Sequence, residues 1–434
     1  MIGVVGAVHL ALAVVAVAKL LAYLATATTA LATSETYTTI RVDVAIRRRS
    51  VGTRIVRWGR RAASVSRGPT PIYKLDRGRH TDMHDSREIV LARLPSGVPI
   101  RTTVHAYGEG TLVDGNDGLT LDIPDDGGPV VYAQAAQHGR EVNGTAVLRR
   151  LHACLVGDGE THRMDAPADL SGTLVTVPVA DPLTFDHVSY TTPEALDSVH
   201  SNMNRCWPGD AEGTLHERMA AKLWPFASAA DAVVDLHTGS PSMLTHTVYM
   251  RGNEDCRGLA EAFGTDLLLA ESAGDDADTE WSERGFAGKF RVAATRKGIP
   301  TITPELAHSR EIVEEAVETG VDGMVGVLQH EGLLPTAPDP WDGTVTKNHL
   351  GRVTAADSGL FRPEPGLTLG DQVSDGDRLG EVYDPTTFET LQVAAADRDG
   401  IVYSVAREST VTAGSTLVGV AERLTDTAAG NETS

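Results

Sequence analysis

Three short runs, Val130 to Ala136, Ala232 to Leu236 and Ile299 to Thr303, are apolar and rich in β-favouring residues. They predict buried strands of a mainly parallel sheet. Leu215 to Ala230 and Ser309 to Glu331 carry helical patterns, so strands alternate with helices from about His84 to Leu334. Alternation of this kind predicts a doubly wound α/β fold. Pro335 to Pro340 then breaks the pattern with three prolines in six residues. Beyond it, Gly351 to Val420 reads as short strands between Gly and Asp turns, which predicts a small all-β domain. The chain is accordingly divided into a basic segment at 1–82, an α/β domain at 83–334, a linker at 335–347, a β domain at 348–424 and a small polar tail at 425–434. The tail is expected to be disordered.

Near the N-terminus the pattern changes. Ile2 to Ala18 is apolar apart from His9, and small or apolar residues continue past Lys19 to about Ala32. That length permits a membrane span. Lys19 would sit near its centre, which is costly, and no positive charge precedes the apolar core as a secretory signal requires. If the segment spans, the basic clusters Arg47 to Arg49 and Arg57 to Arg61 favour keeping the domain that follows in the cytoplasm.

Charge sharpens the division. The formal net charge is −21, yet residues 1–82 hold 13 Lys and Arg against 4 Asp and Glu, leaving 25 against 55 for the rest. The acidic body repels nucleic acid, and its poverty in lysine fits adaptation to high salt, where self-repulsion is screened. A salt-loving, archaeal source is expected, with an ordinary acidic enzyme as the alternative. Because the basic block contradicts the body so sharply, a mis-assigned start upstream of Met83 is the preferred reading. Peptides from Val42 to Arg79 in the source cell would overturn it. Membrane contact is expected only if that block is expressed. Three cysteines, Cys154, Cys206 and Cys256, with no close pairing in sequence favour a reducing, cytoplasmic setting.

Each apolar run leads into a short polar motif: His138-Gly-Arg-Glu141, Asp235-Leu-His237 and Thr303-Pro-Glu305. Open α/β sheets bind ligands at the carboxyl ends of their strands, so the three motifs are expected to converge. Zinc takes imidazole nitrogen and carboxylate oxygen, and a catalytic site keeps three protein ligands and one open position. His138, Glu141 and His237 supply that set for one zinc per chain. A further carboxylate is needed to take a proton from water and return it to a leaving amine, and Glu305 is the candidate. Asp235 would project from the same strand end as His237 and orient it.

These motifs, with Asn202-Met-Asn-Arg-Cys-Trp-Pro-Gly209 between them, resemble the zinc-dependent succinylglutamate desuccinylase/aspartoacylase deacylases, relatives of the zinc carboxypeptidases. The resemblance runs from roughly Glu88 to Val420. It implies that His138, Glu141 and His237 bind zinc, that Glu305 is the catalytic acid/base, and that Asn204 and Arg205 hold a substrate carboxylate. A guanidinium fork beside an amide suits that task. Many relatives carry another Arg shortly before the Asn-Arg pair, whereas Val188 to Met203 contains neither Arg nor Lys. That departure argues against succinylglutamate or acetylaspartate as substrate, with Asp186 to Tyr190 able to supply hydrogen bonds instead. For the oxyanion, Arg291 and Arg296 are both open candidates.

The C-terminal strands resemble the barrel-sandwich domain of biotin and lipoyl carriers, which also closes this deacylase family. Attachment of either group needs a lysine, and none follows Lys347. A roof over the cleft, with Tyr383 or a neighbour reaching in, or a subunit contact in a homo-oligomer is expected instead. The sequence thus points to a zinc hydrolase that cleaves the amide of a small acyl-amino acid or related acylated amine. A peptide-cleaving zinc carboxypeptidase and a non-catalytic, membrane-tethered binding protein are the alternatives.

Overall fold

Successive residues of the first run point to opposite faces of its strand, and both faces are buried. Val131, Ala133 and Ala135 enter one apolar cluster, and Val130 and Tyr132 enter another. A strand covered on both sides needs no polar alternation, which explains the continuous apolar run. The computed structural model describes residues 84–115, 118–157, 170–271, 285–347 and 352–424, all within one unit, Leu75–Ser434. The apolar stretch expected as a membrane span and the tail 425–434 lie outside the described residues. Among the described residues, no helix is long and apolar enough to cross a membrane.

The first twelve strands are β1 (His84–Arg93), β2 (Pro99–Gly108), β3 (Thr111–Gly115), β4 (Gly118–Asp122), β5 (Val130–Ala135), β6 (Thr173–Val177), β7 (Ala232–Gly239), β8 (Ser242–Met243), β9 (His246–Met250), β10 (Leu267–Glu271), β11 (Thr301–His308) and β12 (Thr344–Lys347). Nine of them form one sheet in the order β1-β2-β6-β5-β7-β11-β9-β10-β12. Its centre, β6 to β11, is parallel, as are β9, β10 and β12 among themselves; β1, β2 and the β9–β11 junction add antiparallel pairs.

Helices cover both faces, as the alternation predicts. On one side α1 (Asn143–Val156), α4 (Glu254–Phe263) and α6 (Glu314–His330) bury Leu148, Leu151, Phe263, Val321 and Val327 against the sheet. On the other, α3 (Leu215–Ser228) and α5 (Phe290–Arg296) bury Met219, Leu223, Phe226 and Phe290. A short α2 (Pro182–Asp186) follows β6. Each fully buried Leu or Phe contributes about 1.5–3 kcal/mol. Close helix contact needs glycine at one point: a Cβ on Gly326 of α6 would lie 2.0 Å from the Ala262 carbonyl oxygen of α4.

Two differences from the sequence reading bear on the site. β7 runs on to Gly239 and β11 to His308, so His237 and Glu305 stand within strands, opposite each other in register, rather than just after them. Neighbouring strands satisfy their backbone groups, so polar side chains do not end the ladder there. The helix expected from Ser309 begins only at Glu314, because Arg310 is in the left-handed region at φ 71°.

After Pro340 the chain forms two further sheets. One joins β13 (Val353–Thr354), β20 (Thr416–Ala421), β18 (Gly400–Val405) and β15 (Gln372–Val373); the other joins β17 (Thr390–Ala395), β16 (Arg378–Tyr383), β14 (Gly359–Pro363) and β19 (Thr410–Val411). Phe361, Leu379, Val402 and Leu417 fill the space between them. β8 pairs with β18, placing Met243 opposite Ser404 and tying these sheets to the edge of the α/β cleft. Val248 and Leu267 from the large sheet, with Ile401 and Tyr403 from β18, form an apolar seam beside that pairing.

Candidate active site

At the carboxyl ends of β5 and β11 the chain makes two tight departures. Ala136, directly after β5, has φ 52°, and Ala307 near the end of β11 has φ 55°. Left-handed alanines cost on the order of 1–3 kcal/mol each, and such strain clusters at functional sites. The turn after Ala136 sends Gln137 and His138 over the strand ends. Gly139 then packs where a Cβ would lie 1.9 Å from the Thr184 backbone.

His138, Glu141 and His237 come together as a buried group, with one donor atom from each lying within 4.8 Å of the others. The His138 Nδ1 is 3.0 Å from Glu141 Oε1, and the His237 Nδ1 is 2.9 Å from Oε2. Each ring has an oxygen at its far nitrogen. His138 Nε2 is 3.2 Å from Asn202 Oδ1, and His237 Nε2 is 2.9 Å from Asp235 Oδ2. With each Nε2 facing an oxygen acceptor, Nδ1 is the nitrogen that each ring turns toward the Glu141 carboxylate. The donor set therefore fits zinc chemically: two imidazoles and one carboxylate converge on a single point. Asp235 is itself fixed by Gln134 and Gln137, whose amide nitrogens donate to it at 3.0 and 2.8 Å. Trp207 Nε1 donates to Gln137 Oε1 at 2.7 Å, anchoring this arrangement to the core.

These residues line a cavity of about 250 Å³ that also contains Glu305, Asn204 and Arg205. Burial is the main force on the Glu305 carboxyl and pushes its pKa up to about 7, with Glu141 adding to the rise; His237, Lys289 and Arg352 oppose it. Asn204 is committed to the protein on one side, where its Oδ1 accepts from the Phe290 N–H at 2.9 Å. Arg205 donates to the Asn204 carbonyl at 2.5 Å and lies over the Phe286 ring. All six residues singled out in the sequence thus reach one cavity.

The oxyanion candidates separate. Arg291 lines the cavity, but its guanidinium donates to Glu271 and, at 3.2 Å, to Thr303 Oγ1. Arg296 donates to the Ala287 carbonyl at 3.1 Å and does not line the cavity. Within Asp186 to Tyr190 only Tyr190 faces inward, stacked on His138 with ring centroids 3.9 Å apart.

Sequence reasoning missed four cavity residues. Arg140 sits inside the first motif and lies 4.9 Å from the Tyr190 ring centroid. Lys289 has its Nζ 3.4 Å from the Phe286 centroid, and burial with Arg291 and Arg205 nearby lowers its pKa to about 7. Its rarity was a usable signal, since the acidic body holds only four lysines. Arg352 and Ser404 come from the C-terminal sheets, and no local pattern marks either. They, and not Tyr383, are the residues of that part that line the cavity.

A doubly wound α/β sheet carries at its strand ends a His-Glu-His donor set and a perturbed carboxyl, groups able to serve hydrolysis. Residues 127–331 match the succinylglutamate desuccinylase/aspartoacylase catalytic domain. The chain is 28% identical over 314 residues to the N-alpha-acetyl-L-2,4-diaminobutyric acid deacetylase of Halomonas elongata, covering 68% of this chain and 82% of that one. The succinylglutamate desuccinylase/aspartoacylase of Rhodobacter sphaeroides shares the fold with a TM-score of 0.63 at 21% identity, covering 79% of this chain and 97% of the other. The product-bound ectoine utilization protein EutE (DoeB) of Ruegeria pomeroyi does so with a TM-score of 0.62 at 21% identity, covering 78% and 95%. The family is one of deacylases acting on amides.

Proposed function

We propose that this chain is a zinc-dependent hydrolase that cleaves the amide of a small N-acyl amino acid, with His138, Glu141 and His237 holding one metal. The observation that carries the reading is the pairing of both Nδ1 atoms with the two oxygens of Glu141 while Asp235 and Asn202 stand at the opposite nitrogens. When bound, the metal supplies polarisation of the scissile carbonyl and a lowered pKa for water. Glu305 takes a proton from the attacking water on a carboxylate oxygen and delivers it to the leaving nitrogen. A pKa near 7 suits a group that must do both at neutral pH.

Arg205 receives the substrate carboxylate, and Asn204, held by Phe290, fixes the loop that presents it. The absence of Arg between Val188 and Met203 is offset from elsewhere, since Arg352 adds a cation to the same cavity and Lys289, titrating near 7, adds a partial one. Cations therefore outnumber the acidic side chains of the lining, which favours anionic acyl-amino acids. The Halomonas relative acts on a substrate with an amine in its side chain, which Lys289 and Arg352 would repel here. We read the C-terminal sheets as a roof that closes the cleft through Arg352 and Ser404. A cavity of about 250 Å³ falls below the roughly 300–1,000 Å³ typical of ligand pockets, and this favours small acyl-amino acids over peptides.

The test is metal content per chain together with amine release from acetyl- and succinyl-amino acids bearing acidic, neutral and basic side chains, and from short peptides. One metal with release from small anionic substrates is expected. Release from peptides alone would move the assignment to a carboxypeptidase, and folded protein without metal would overturn the reading.

A further inference from the structure

A second group of imidazoles lies at the far edge of the large sheet. β1 and β2 pair so that His84 stands opposite Tyr107, and His105 lies two residues before Tyr107 on the same face. His152, on α1, stands over this face. His84 Nε2 is 3.1 Å from His105 Nδ1, and one nitrogen from each of the three rings lies within 4.8 Å of the others. All three are half-buried, shielded yet within reach of an ion from solvent. The cluster is separate from the candidate active site: His152 is nine residues from Asn143, about 13 Å along the helix, and only Asn143's end of α1 approaches the strand ends.

We infer that His84, His105 and His152 form a second metal site, for a zinc-class divalent cation, that clips the β1–β2 edge to α1. Three imidazoles without a carboxylate select late first-row cations such as zinc, nickel or copper over magnesium or calcium. Tyr107 supports the geometry, with its hydroxyl 2.9 Å from His152 Nδ1, which helps hold that ring over the paired strands. Burial, with the neighbouring imidazoles, lowers His105 to about 4 and lowers His84 as well, keeping both rings in the neutral form that ligates. A proton-sharing stack of rings, with no ion, is the competing account of the same contacts.

The two accounts are separated by equilibrium dialysis of the full chain against Zn²⁺ with quantification of bound metal. The wild type is expected to retain about two ions per chain. His84→Ala and His152→Ala should each lose one and keep wild-type turnover, and that turnover shows that the variants fold. Two ions persisting in both variants would overturn the site, as would a single wild-type ion that disappears in His237→Ala. A single ion that disappears in His152→Ala, and not in His237→Ala, would instead uphold this site and sink the catalytic-metal reading.

Discussion

His138 and His237 stand at the carboxyl ends of parallel strands with their far nitrogens facing oxygens, whereas His84, His105 and His152 stack on one another at an antiparallel edge. The first group includes a carboxylate, is buried, and shares its cavity with a titrating acid. The second has no carboxylate among its donors, and its three rings are only half-buried. Similar ligand atoms therefore serve different ends. Asp235 and Asn202 orient the rings of the first, while the second brings the β1–β2 edge and α1 together.

The strongest way to break this comparison is Glu305→Gln, which removes the titrating acid and leaves the donor set intact. Turnover should fall on the order of a thousandfold with metal content unchanged; near-normal kcat would remove the role assigned to Glu305. Asp235→Asn should weaken metal affinity at the active site about 10- to 100-fold, measured by competition with a chelator, because His237 loses its anionic partner. Wild-type affinity in that variant would mean that orientation is not what separates the two groups. Arg352→Ala should raise KM about tenfold with little change in kcat if it attracts a second anionic group of the substrate beside the carboxylate held by Arg205; a fall in kcat alone would place it with the reacting atoms.

Glu305 also gives the comparison a pH signature. In metal-free protein its folded pKa is near 7, above the ordinary 4.5. The folded state therefore holds an extra proton between these values, and stability falls as pH rises from about 4.5 to 7. Turnover follows the opposite sign, since the carboxyl must be ionised to accept a proton, and kcat should drop roughly tenfold per pH unit below its pKa. Metal adds positive charge nearby and should shift this limb to lower pH. Titration of apo and loaded protein reads the shift, and a limb indifferent to both metal and Glu305→Gln would reject the assignment. The smallest effect is expected from His152→Ala, which should leave kcat/KM within about twofold of wild type.

Much of the catalytic part was legible because it rests on local rules. Val130 to Ala135 had to be a doubly covered strand, and a His-x-x-Glu at its end with Asp-x-His on another strand carries zinc chemistry in its spacing. The edge elements were harder to read. β1, with polar residues at most of its outward positions, and the histidines His84 of β1 and His105 of β2 carry no motif, and their convergence depends on a helix some 50 residues on in sequence. The oxyanion candidates could not be told apart for a similar reason, because only packing shows that Arg291 lines the cavity while donating to Glu271 and that Arg296 lies outside it.

By itself the sequence determined the alternation of strand and helix, the donor types of the His-Glu-His group and the acid that accompanies it, since each is a local consequence of period or residue chemistry. The tertiary structure alone decided the cavity's charge and size. Arg352 and Ser404 arrive through the β8–β18 pairing, Lys289 is pressed against Phe286, and the pKa of Glu305 is raised by burial that no run of residues encodes. Field and volume depend on every group within reach, whatever its place in the chain, and only the folded arrangement brings those groups together.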